Sequence, residues 1–62
     1  MSEKSKRYIT LKNAHGAAVV IVPMMVTHVG SRGATEAEVF FVGGASIALK
    51  GSADEVAMAI FG

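Results

Sequence analysis

The chain contains no cysteine and no tryptophan, and only one proline and one tyrosine. Without cysteine, no disulfide can staple the fold and no thiolate can hold zinc. Charge of either sign is scarce: six basic residues stand against five acidic ones, a net charge of +1. A dedicated duplex-DNA binder carries a clear basic excess, so that class is not expected. Recognition of single strands needs aromatic rings interleaved with basic residues. Only Tyr8, beside Lys6 and Arg7, has that company, and nucleic acid is not an expected partner.

Long apolar runs are missing too. The longest, Ala17 to Val26, is ten residues and contains Pro23, whereas a spanning helix needs roughly 20. Met1 to Arg7 is polar and has no apolar stretch of the secretory type. The expectation is a cytoplasmic protein without a membrane segment or bound cofactor.

What remains is a short and unusually apolar chain, 62 residues with 52% hydrophobic side chains and a mean hydropathy of +0.47. A domain of this size buries only about 60% of the surface its unfolded chain exposes. The usual remedy, when disulfides and metals are absent, is oligomerisation.

The pattern along the chain is β-rich. Residues 1–7 read as a flexible polar arm, solubilising or drawn to phosphates, and residues 8–62 as one domain. Tyr8 to Lys12 alternates, with Ile9 and Leu11 on one side, and predicts a half-buried strand. Asn13-Ala14-His15-Gly16 reads as a hairpin loop. Ala17 to Val22 is a β-branched run expected to be covered on both faces. Pro23 marks a bend or an edge. Met24 to Val29 reads as a strand with Met25, Thr27 and Val29 on one face, followed by a loop over Gly30 to Ala34.

Glu36 to Val42 is a further strand, with Ala37, Val39 and Phe41 facing one way and Glu36, Glu38, Phe40 and Val42 the other. Gly43-Gly44 suits a two-residue turn into Ser46 to Lys50, where Ile47 and Leu49 point inward. Ser52-Ala53-Asp54-Glu55 is a capping box that opens a helix. Asp54 and Glu55 favour its positive end, and Val56, Ala59 and Ile60 would form its buried face. The fold class is therefore mainly β: an antiparallel meander of four to five strands with one short C-terminal helix.

Residues suited to catalysis are few. His15 sits in a turn. His28 has no local metal partner at zinc spacing and no carboxylate near it in sequence to orient it as a base. Glu36 and Glu38 share one strand face and read as a solvated edge rather than an acid–base pair. Gly30-Ser31-Arg32-Gly33 is ordinary turn chemistry or a weak anion cradle. A small anion such as a nucleotide would then sit near His28, Ser31 and Arg32, at a subunit boundary. No nucleophile, base and orienter can be assembled from these residues, so no enzyme and no metal site are expected.

The most informative feature is surplus apolar surface. A single short helix covers one sheet face, yet Phe40 and Val42 oppose Val39 and Phe41, and Val20 and Val22 oppose Val19 and Ile21. Met24 and Met58 add flexible groups suited to adaptable contacts. Met24, Phe40, Val42 and Met58 are therefore the expected interface of a homo-oligomer.

From Ile9 onward, I-T-L-K-N-A-H-G (Ile9 to Gly16) and G-G-A-S-I-A-L-K-G-S-A-D-E-V (Gly43 to Val56) carry a resemblance. The pattern resembles the small flagellar FlbD/SwrD-like proteins and similar phage and prophage proteins. Pro23, the glycine-rich loop and the apolar strands depart from it. The resemblance implies a non-enzymatic accessory protein acting through protein contacts. The expected function is a self-assembling bacterial or phage regulator or inhibitor, with the anion binder as the alternative.

Overall fold

The computed structural model describes residues 7–62. The arm expected over 1–7 lies, Arg7 apart, outside the described residues. The elements are β1 (Ile9–Lys12), β2 (Ala18–Ile21), a 3-10 turn (Pro23–Met25), β3 (Val26–Ser31), β4 (Glu36–Phe41), β5 (Ser46–Lys50) and α1 (Ala53–Phe61). The protein is mainly β, with two antiparallel sheets and a C-terminal helix: β1 pairs β2, and β3-β4-β5 form the second sheet.

Local chemistry sets most boundaries. Asn13 turns the first hairpin, its side-chain oxygen accepting from the amides of His15 (2.8 Å) and Ala17 (3.0 Å). Ser52 accepts from the Glu55 amide while Glu55 accepts from the Ser52 amide, the reciprocal cap its sequence predicts. Such a cap satisfies backbone donors that a helix start leaves open.

Other boundaries move. Met24 and Met25 do not open a strand. Pro23, fixed in φ and lacking an amide proton, starts a 3-10 turn in which the Met25 amide donates to the Val22 carbonyl at 3.0 Å. The strand begins at Val26 and runs on through Gly30 and Ser31. The β4–β5 connection is not centred on Gly43-Gly44 either. The Gly44 amide donates to the Phe41 carbonyl at 3.0 Å, so Val42 and Gly43 are the central pair. Gly43 takes a positive φ of +99° at the second central position, the pattern of a type II turn.

β3 carries a bulge. Val26 pairs with Phe41 but His28 pairs with Phe40, leaving Thr27 as the extra residue. The bulge overturns the expected grouping of Met25, Thr27 and Val29. Val26 and Val29 both pack on the core, while Thr27 and His28 are exposed.

The core is Ile21, Ala37, Val39, Leu49, Val56 and Ile60, ringed by Ile9, Leu11, Val19, Val26, Val29, Phe41, Ile47 and Ala53. Ala59, expected on the buried face of α1, is exposed. Hairpin, sheet and helix therefore share one interior. An Asn13–Leu49 bridge and a 3.2 Å bond from the Ala14 amide to the Ala48 carbonyl tie the hairpin to the free side of β5. Only one face of β2 is covered: Ile21 is buried, whereas Val20 is 60% exposed. Among the described residues, no helix is long and apolar enough to cross a membrane.

Candidate interaction surface

The outer face of the three-stranded sheet follows from its register. His28, Phe40 and Ser46 lie side by side; Gly30, Glu38 and Ala48 form the next row; Glu36 faces Lys50. Three devices keep this face from being uniformly apolar. The His28 imidazole stacks on the Phe40 ring, centroids 4.2 Å apart and planes 10° from parallel. Ser46 donates to a Glu38 carboxylate oxygen at 2.7 Å. Glu36 and Lys50 place opposite charges across the strands. The two glutamates thus lie half-buried on the central strand, not on a solvated edge.

Phe40 is half-buried because a neighbouring strand of its own chain covers it. It therefore does not lead a broad exposed patch. Met58 belongs to another surface. It is on α1, which packs over the Val39 side of the sheet, whereas Phe40 points to the opposite side. Met58 and Phe61 instead rim a shallow depression of about 510 Å³ with Asp54, Ala57 and Gly62. The four residues expected to make one interface do not form one continuous surface.

Met24 and Val42 do come together. The Val42 amide donates to the Met25 carbonyl at 2.8 Å, joining the 3-10 turn to the end of β4. Met24 is 83% exposed and Val42 61%. Met25 is exposed as well, as are Val20 in β2 and Val22 just after it. Val20 and Val22 were expected as surplus apolar surface but not among the four named interface residues, and Met25 was expected on a strand face. The sequence signal was the unbroken β-branched run, in which every second residue of a one-sided strand must face water.

His28, Ser31 and Arg32 do not converge within the chain. His28 pairs with Phe40 on the outer face, while Ser31 pairs with Ala37 and takes the opposite parity. Three residues of strand separate them by about 10 Å. The Ser31 hydroxyl closes its own turn, donating to the Gly33 carbonyl at 3.2 Å. The exposed Arg32 spends its amide on the Glu36 carbonyl at 2.9 Å. A separate hollow of about 430 Å³, lined by Ala34, Thr35, Glu36, Lys50, Gly51 and Glu55, includes none of the three. Among the described residues, no three His, Asp or Glu side chains gather as a metal site. Thr27, expected on a strand face and not among the site residues, contacts His28 instead: its hydroxyl lies 3.0 Å from Nδ1 and 3.2 Å from the Phe40 carbonyl.

No family model, curated protein or solved structure matches the chain.

Proposed function

We propose that this protein is a non-catalytic interaction module that self-assembles and acts, as a small bacterial or phage regulator or inhibitor, through contacts with protein. The observation that carries the reading is the exposure of Val20, Val22, Met24, Met25 and Val42, with the 3-10 turn joined to Val42 by the Met25–Val42 backbone bond. Methionine suits such a surface because its unbranched, polarisable side chain adapts to a partner. Burying what remains exposed of Val20, Val22, Met24 and Val42 between chains would supply on the order of 4–7 kcal/mol before association costs. For a domain this small, that rivals the whole folding free energy.

The test is light scattering at micromolar concentration on the wild type and on a Met24→Lys/Val42→Lys double variant. Both positions are exposed, so the variant keeps the core. The expected result is a mass that is a multiple of 6.4 kDa for the wild type and close to 6.4 kDa for the variant. A monodisperse wild-type mass near 6.4 kDa rejects self-assembly.

A further inference from the structure

The open edge of β2 gives this assembly a specific geometry. In the β1–β2 ladder the Asn13 amide donates to the Ala17 carbonyl at 2.8 Å, closing the hairpin. Bonded and non-bonded pairs alternate from there in an antiparallel ladder. Leu11 with Val19 and Ile9 with Ile21 are then the mutually bonded pairs. Ala18 and Val20 direct their N–H and C=O groups away from β1. No described strand lies on that side, since β2 pairs only with β1.

Outer strands normally carry a guard: a charge, a proline or a bulge. β3, the outer strand of the other sheet, has the Thr27 bulge. β2 reads Ala-Val-Val-Ile, regularly paired and uncharged, with proline only at position 23. The 60% exposed Val20 is at once the point where an unused donor and acceptor face outward and an exposed apolar side chain.

Resting on the self-assembly reading above, we propose that a second copy of this chain pairs with this edge, β2 against β2, antiparallel about a two-fold axis at Val20. A two-fold contact requires a self-complementary patch. A residue presenting both its amide and its carbonyl to the same side meets that requirement: each Val20 amide donates to the other's carbonyl. The two hairpins become one four-stranded sheet, and the two Val20 side chains lie side by side on its outer face. That satisfies backbone groups and covers apolar area at one contact, and the uncharged Ala18–Ile21 strand meets its own copy without like-charge repulsion.

The test combines light scattering with amide hydrogen exchange on the full chain, using Val20→Pro, Val20→Lys and Val20→Thr. Val20→Pro removes the outward donor without removing a β1–β2 bond. Val20→Lys keeps the backbone and sets two cations face to face. Val20→Thr keeps the β-branched shape. The expected result is a wild-type dimer whose Ala18 and Val20 amides exchange more slowly as protein concentration rises. Val20→Pro and Val20→Lys should fall to one chain with unchanged circular dichroism, and Val20→Thr should stay paired.

If Val20→Lys folds and remains associated while Met24→Lys/Val42→Lys dissociates, self-assembly stands and edge pairing is overturned. Val20 protection that does not depend on concentration also overturns it, because the cover would come from within the chain. A wild type that is a single chain at every concentration removes the self-assembly reading itself.

Discussion

The imidazole of His28 lies flat against the ring of Phe40, 4.2 Å between centroids, so that a polar side chain roofs the largest apolar group on the outer sheet face. The Thr27 bulge makes this contact. It shifts the β3 register by one, setting His28 rather than Thr27 opposite Phe40. His28→Ala removes the roof while leaving the backbone pairing. The expected cost is about 0.5–1.5 kcal/mol, read as a lower denaturant midpoint with an unchanged slope.

The Thr27 hydroxyl couples to the tautomer of His28. It has one proton to donate, with Nδ1 at 3.0 Å and the Phe40 carbonyl at 3.2 Å both in reach; the expected acceptor is the carbonyl, which has no proton of its own to offer. The 3.0 Å contact to Nδ1 then needs the proton on Nδ1, leaving Nε2 as the acceptor in neutral His28. Nitrogen chemical shifts in long-range ¹H–¹⁵N spectra should show the Nδ1–H tautomer. Thr27→Val should return the ring to a mixture dominated by Nε2–H. An Nε2–H ring in the wild type would reverse the assigned donor.

Gly51 and Gly43 both have positive φ, +114° and +99°, but different surroundings. A Cβ at Gly43 would meet nothing within 4 Å, whereas one at Gly51 would meet Glu55 Oε1 at 3.3 Å and Val56 Cγ2 at 3.5 Å. Alanine at either site carries backbone strain of about 1–3 kcal/mol. At Gly51 it also presses on the carboxylate that caps the helix. Gly51→Ala should therefore melt at a clearly lower temperature than Gly43→Ala; equal losses would mean the helix start yields freely.

The cap makes a finer prediction. Ser52→Ala deletes the acceptor for the Glu55 amide and should cost about 1 kcal/mol. Glu55→Gln keeps an oxygen for the Ser52 amide, so it should cost less than Glu55→Ala. Thermal melts of the three variants supply the ranking.

Core deletions should act on a larger scale. Leu49 is fully buried, and Leu49→Ala is expected to cost about 2–5 kcal/mol. A chain of this length has only about 3–9 kcal/mol in total. Circular dichroism in a urea titration should find the variant partly unfolded before denaturant is added. Ile47→Ala, at a half-buried position, should keep a complete folded baseline.

Much of the architecture was legible residue by residue, because it rests on short-range chemistry. Asn13 and Gly16 turn the first hairpin, Ser46 to Lys50 alternates strictly, and Ser52 with Glu55 starts the helix; each signal spans four or five residues. One error is local, the turn expected at Gly43-Gly44 and found at Val42-Gly43; the others fall where contacts outside the segment decide. Nothing near Thr27 announces a bulge, since its register is set by pairing with β4, and Pro23 cannot reveal whether Met24 continues a strand or coils into a turn.

Sequence alone settled that this chain carries more β-branched and methionine surface than one short helix can cover, because composition and parity are properties of the chain itself. Tertiary structure decided which part of that surface stays open. His28 shelters Phe40 through a contact between strands, α1 takes Met58 to another side, the Val42–Met25 bond joins the 3-10 turn to the end of β4, and β2, paired to β1 along one edge, has no described strand along the other. Such outcomes depend on which backbone groups meet across the sheets, and periodicity along one strand carries no information about its neighbour.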